Sequence, residues 1–186
     1  MLFETFRQAL TVCEDYDTTI TIGGGEPTLH RHFEKMLLEA MGAKIDGNPF
    51  IITNGTQTRI SLILARLAQN NIIEAELSQD EFHDYDMVDP EVRKAFQGRY
   101  RNVTAYHDPI PVGRYRETIR KESGGNEKLF RENIRNAEKG SICCCYDWVV
   151  YPNGDVSQCG CPDSPIVGTV WDLQPGESGC YKEIGE

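Results

Sequence analysis

From residue 1 to about 107 the hydrophobic pattern switches repeatedly between a helical period and a strand period, and this alternation constrains the fold more than any other property. Phe3, Phe6, Leu10 and Cys13 lie on one helical face, and Thr19 to Ile22 reads as a strand. Phe33, Met36, Leu37, Ala40 and Met41 then follow with i, i+3, i+4, i+7, i+8 spacing before Gly42 as a stop. "NPFIITNG" is the next strand, and Ile60, Ile63, Leu64 and Leu67 stripe the next helix. "IIEAEL" is another strand, followed by a polar loop and a helix that opens at Asp89-Pro90 with the Asp as its cap. "NVTAYH" closes the run as a further strand.

Strands separated by single helices pair in parallel through right-handed crossovers, in either an open sheet or a barrel. Functional loops then follow the C-terminal ends of the strands. Those loops are "GGGEPTLH", "TNGTQ", "SQDEFHD" and "HDPIPVGR", the polar and unusual segments of the chain. The chain opens directly on a helix placed like the crossover of a βαβ unit. Periodicity leaves two readings: a missing strand and loop, or an ordinary N-terminal helix lying across the sheet.

Length and charge narrow the function. A chain of 186 residues suits one sizeable core with a small appendage. A formal charge of −10 argues against binding to a nucleic-acid backbone, which clustered Lys and Arg would have to supply. The one basic concentration, Arg114 to Lys121, is mixed with Glu117 and reads as a solvated helix face. No apolar run approaches a membrane span and no leader pattern is visible, so a cytoplasmic protein without membrane partners is expected. Seven cysteines are then a notable count, and six of them fall after residue 142. In a reducing compartment clustered cysteines bind metal or react more often than they form disulfides.

Three glycines after a strand let a ligand approach the backbone, and Glu26 sets an anion beside them. A phosphate cradle is a poor reading, because there is no Lys-Ser/Thr pair, no G-x-G-x-x-G, and a carboxylate repels phosphate. A carboxylate beside backbone acceptors suits an ammonium group, with Pro27 stiffening the turn. The competing reading is a tight βα turn with an incidental acid.

The full string "GGGEPTLH" resembles the G-G-E-P element of the radical SAM enzymes, whose loop after the second strand holds the amino group of S-adenosylmethionine. "FIITNGT" is similar to the third-strand segment of that family, and "ELSQDEFHD" to its fourth-strand loop, where Ser and Asp side chains approach the ribose. The resemblance covers roughly residues 1 to 107 and implies cofactor contacts at Gly24, Gly25, Glu26, Pro27, Asn54, Ser78 and Asp80. It also implies a partial (β/α)6 TIM-like barrel of parallel strands, an α/β fold that lacks its first strand.

The tail adds a fourth likeness. Cys144, Gly154 and Cys159, separated by nine and four residues, fit the C-x(9–15)-G-x4-C opening of SPASM and Twitch extensions, which carry auxiliary iron–sulfur clusters. Cys143 fits as well, while Cys161 and Cys180 remain as further candidate ligands. The second half of the SPASM pattern does not occur, so at most one cluster is expected there. Structural zinc and disulfides stay open as alternatives for these cysteines, although zinc's usual C-x-x-C knuckles are not found. "WVVYPNGDVSQ" reads as a hairpin turning at Asn153-Gly154, with Cys145 and Cys159 flanking it.

One departure limits the activity expected. The C-x3-C-x2-C motif that holds the catalytic [4Fe–4S] cluster in the family occurs nowhere in this sequence, and its usual place is just before the opening helix. The expected plan is a partial barrel core over 1–107, a helical linker over 108–141 and a cysteine-rich β-hairpin extension over 142–186. The intact family cleaves S-adenosylmethionine reductively to a 5′-deoxyadenosyl radical, with an electron donor and, by resemblance to enzymes with such extensions, a peptide or protein substrate. As written, this chain is expected to bind no catalytic cluster; the rival reading is a non-catalytic subunit or remnant that binds S-adenosylmethionine or a peptide. His83 and His107 read as structural or surface residues, His30 as a helix-start residue, and Tyr85 and Trp148 as packing residues.

Overall fold

The computed structural model describes residues 1–78, 85–101, 119–140, 148–158 and 164–173, without the side chains of 85, 100, 101 and 134–140. The expected strand over 102–107 and His83, His107, Asp80, Cys144, Cys145, Cys159, Cys161 and Cys180 lie outside these residues.

The alternating pattern produces α1 (Phe3–Asp15), β1 (Thr21–Ile22), α2 (Phe33–Gly42), β2 (Phe50–Thr53), α3 (Thr58–Gln69), β3 (Glu74–Ser78), α4 (Pro90–Ala95) and β4 (Tyr100–Arg101). The four strands form one parallel sheet in chain order, β1-β2-β3-β4. A later helix, α5 (Glu127–Gly140), follows the break at Gly124 and Gly125, both at positive φ. Asp89 caps α4 as expected, its side chain accepting from the Glu91 amide at 2.8 Å, with Pro90 at the first helical position.

Side chains alternate across a strand, so each strand has two faces. Ile51 and Thr53 of β2 and Ala75 and Leu77 of β3 are buried on one of them. Phe33 and Leu37 from α2, Leu64, Ala65 and Ala68 from α3, Val92 from α4 and Phe96, the residue that caps its C-terminus, complete that core. The other face carries Phe50, Ile52, Glu76 and Ser78, all half-buried. Three successive crossover helices therefore cover the same face. Strands that follow one another without a reversal of order wind the sheet in one direction only, unlike a doubly wound sheet.

Two expectations shift in detail. The stripe on α3 is Ser61, Leu64, Ala65 and Ala68, while Ile60 and Leu67 are only partly buried and Ile63 is 41% exposed. Small residues let this helix lie close on the sheet, and the larger apolar ones flank the contact. The strand expected over 19–22 is regular only at Thr21–Ile22, although the Ile20 carbonyl still accepts from the Phe50 amide at 2.9 Å.

Helix α1 joins the same layer through Phe6 and Leu10, which pack with Met36 and Ala40 of α2. Its Ala9 meets a second, antiparallel sheet of β5 (Val149–Val150), β6 (Asp155–Ser157) and β7 (Ile166–Thr169). Val156 and Val170 complete that contact, and Trp148 meets Tyr16 edge-on at 5.3 Å between ring centres, a packing role as expected. The hairpin turn is a three-residue loop, Pro152 to Gly154. The Gly154 amide donates to the Tyr151 carbonyl at 2.9 Å, and the Tyr151 amide donates to Asp155 at 2.8 Å. Gly154 takes the left-handed position at φ +95°, under the Trp171 ring.

Gly55, at the start of the loop after β2, is buried at φ +76°, where a Cβ would stand 2.5 Å from Leu77 Cδ1 and 3.0 Å from Val88 Cγ1. Gly55→Ala combines a left-handed backbone with overpacking and should cost about 2–4 kcal/mol of stability. Urea denaturation measures this; an unchanged midpoint would show that the loop relaxes without strain.

Candidate functional site

In a parallel sheet ordered as the chain is ordered, the loops leaving neighbouring strands emerge side by side at one edge. The loop after β1 begins at Gly23 and the loop after β2 at Asn54, and Glu26 joins them. Gly24 takes φ +108°, a conformation only glycine adopts readily, and turns the chain out of β1. Open space surrounds the position of an added Cβ at Gly23, Gly24 and Gly25 alike, and all three are exposed. The chain then re-enters order at a 3₁₀ turn, Pro27–Leu29, for which Glu26 is the cap and Pro27 the first residue.

The half-buried Glu26 carboxylate is the centre of this arrangement. Its Oε1 accepts from the Thr28 amide at 3.1 Å, from the Thr28 hydroxyl, and from the Thr53 hydroxyl at 2.8 Å. Its Oε2 accepts from the Asn54 amide at 2.6 Å. An ionised carboxylate offers about four lone-pair directions. Three donors crowd Oε1, while Oε2 has a single donor among the described residues and so keeps one acceptor direction.

The site residues expected from sequence divide accordingly. Gly24, Gly25, Glu26 and Pro27 form one continuous loop, and Asn54 adjoins it from β2. Asn54 contributes its backbone, because its side-chain Oδ1 accepts from the Thr56 amide at 3.0 Å and the Thr56 hydroxyl at 2.8 Å. Ser78 ends the neighbouring strand β3, half-buried. Thr28 and Thr53 were not singled out by sequence. The signal that could have found Thr53 is its place at the end of the strand beside Glu26's own.

His30 does not start α2; that position belongs to His32, whose side chain makes no capping bond. The His30 ring is held instead by contacts from afar. Its Nδ1 accepts from the His32 amide at 3.2 Å, so the proton sits on Nε2, which donates to the Met1 carbonyl at 3.0 Å. Next to it lies a shallow cleft of about 280 Å³ lined by Thr28, His30, Arg31, His32 and Lys35 among others. Glu34, also at its edge, is drawn to Arg59 at 3.3 Å, while Lys35 stands over the Phe3 ring at 3.9 Å. The cleft wall is consequently cationic.

Cys13 is the cysteine within the described residues, and burial first, then the charge of Glu14, push its thiol up to about 11. At neutral pH it therefore stays in the protonated thiol form. No group of three or more metal-ligating side chains occurs among the described residues. No described helix is long and apolar enough to cross a membrane. Comparison with protein-family models, with curated proteins and with solved structures finds no match.

Partial desolvation, followed by the neighbouring Arg31, His30 and Lys35, holds the His32 imidazole below its ordinary range. A histidine whose folded pKa is depressed adds stability above its unfolded pKa, near 6.5, and loses it as pH falls through the folded value. A proton NMR titration should place His32 below an unstructured histidine, and His32→Gln should flatten the fall in stability across that window. A midpoint at or above the ordinary value would contradict this combination of desolvation and neighbouring positive charge.

Proposed function

We propose that this chain is a radical SAM-type domain that holds S-adenosylmethionine at the loop Gly23 to Pro27. The observation that carries the reading is the Glu26 carboxylate, anchored across two strand ends by three hydrogen bonds on Oε1 and one on Oε2, with an acceptor direction left on Oε2, at the end of a loop of three exposed glycines. A carboxylate with a free acceptor direction fits the amino group of the cofactor, a cation that donates hydrogen bonds. A phosphate fits poorly, since the carboxylate would repel it. Asn54 and Ser78, at the ends of the two following strands, stand where the rest of the cofactor would extend along the same edge.

The fold supports the same reading. Four parallel strands in chain order, with α2, α3 and α4 on one face, have the order and helix placement that part of a (β/α)6 barrel would have. The half-buried face bearing Ile52, Glu76 and Ser78 is then the interior. The antiparallel sheet against α1 corresponds to the SPASM/Twitch-like extension, with Cys144, Cys159, Cys161 and Cys180 as ligands of one auxiliary iron–sulfur cluster and a peptide or protein as substrate.

When bound together with a reduced [4Fe–4S] cluster, S-adenosylmethionine supplies a 5′-deoxyadenosyl radical. This chain's own residues bind and orient the cofactor, and the sequence contains no C-x3-C-x2-C to hold that cluster. Binding is thus the activity assigned to these residues, and a non-catalytic cofactor- or peptide-binding subunit is the second reading.

Isothermal titration with S-adenosylmethionine tests the site. Glu26→Ala should weaken binding about tenfold or more, the worth of a hydrogen bond to a charged group. Equal affinity in wild type and variant, or no binding by wild type, would overturn the reading. Anaerobic reconstitution with iron and sulfide tests the tail: thiolate-to-iron absorbance should appear and should be lost in Cys159→Ala, whereas the same spectrum in both would remove Cys159 as a ligand.

A further inference from the structure

We propose that Thr53 is the positioning residue for the Glu26 carboxylate, the side chain that ties the glycine loop to the end of β2. Its consequence for cofactor affinity rests on the reading above, while its effect on the loop stands on geometry alone. Of the four donors to Glu26, the two from Thr28 lie within the same 3₁₀ turn and fix the carboxylate only relative to its own loop. The two from β2's end cross 27 and 28 residues of sequence, and one of these is the Asn54 main-chain amide. Among the described residues, Thr53 is the one side chain that reaches Glu26 from another element.

Its chemistry suits the task. Thr53 is 1% exposed, and its β-branched side chain has few rotamers on a strand. Its Oγ1 accepts from the Gly55 amide at 3.1 Å, so the lone hydroxyl proton is directed to Glu26 Oε1 at 2.8 Å. The same oxygen therefore orders the backbone after β2 and aims the carboxylate. With Oε1 held from this side, Oε2 lies against the Asn54 amide. Without the hydroxyl, Glu26 is held by its own turn and one main-chain bond, and the loop and the strand end lose their side-chain link.

Thr53→Val keeps the shape and removes the hydroxyl; Thr53→Ser keeps the hydroxyl and removes the methyl. Hydrogen exchange should be about tenfold faster in Thr53→Val at both the Asn54 and the Thr28 amides, as expected for loss of a hydrogen bond to a charged group, and near wild type in Thr53→Ser. Thr28 is the decisive probe, because its amide donates to Glu26 and to no residue of β2. Ile51→Val, a conservative core change on the same strand, should leave Thr28 exchange unaltered. Affinity for S-adenosylmethionine should fall about tenfold in Thr53→Val and recover in Thr53→Ser.

Unchanged Thr28 exchange in Thr53→Val, or a failure of Thr53→Ser to restore it, overturns the proposal. If Glu26→Ala weakens the cofactor and Thr53→Val does not, the positioning role falls while the cofactor site stands. If neither variant alters cofactor affinity, the cofactor reading falls, and the exchange rates still decide what Thr53 does.

Discussion

Parallel pairing of β2 with β3 sets Ile51 and Thr53 on the same side as Ala75 and Leu77, in register over four residues. A parallel pair cannot be joined by a tight turn, so each connection is a helix, and each right-handed crossover returns that helix to the same side. The core follows from this single condition. Phe33, Leu64, Val92 and Phe96 come from three different helices and meet over one face. The position of the loops follows too, since every strand then ends at the same edge.

That edge is where the glycine loop stops being a local feature. Three bare residues have no means of holding their own shape, and Gly24 in particular has entropy to lose on folding. Glu26 fixes the loop by accepting hydrogen bonds from its own turn and from the next strand end at once. Gly55 shows the same edge from below, since only a residue without Cβ fits between the turn and Leu77. Order at the site is thus imposed by β2 and not by the glycine sequence itself.

The parts legible in sequence are those in which size and polarity carry the message. Phe33, Met36, Leu37 and Ala40 form the buried stripe of α2 as their spacing implies, and Asp89-Pro90 opens α4. On α3 the largest apolar residues drew the stripe toward Ile60 and Ile63, whereas the helix approaches the sheet through Ser61, Ala65 and Ala68. Hydrophobicity reports how much surface a residue can bury, not how close a helix can come. The loop containing Glu26 was visible as an anomaly of composition. Asn54 beside it came from the likeness of "FIITNGT", but its partner Thr53 did not, because contacts between strand ends leave no period in the chain. The ring of His30 was misplaced for the same reason: its partner is the Met1 carbonyl, 29 residues away.

The contact between α1 and the antiparallel sheet has a consequence for synthesis. Ala9 is made well before the residues that cover it, Val156 and Val170, which lie about 150 residues further along the chain. The parallel sheet can assemble as it is made, each βα step adding to the last. The face of α1 that carries Ala9 must wait, and it stays uncovered until the hairpin around Gly154 arrives. Contacts so distant in sequence slow folding and lengthen the interval in which that face, and the apolar residues of the hairpin, can meet another chain.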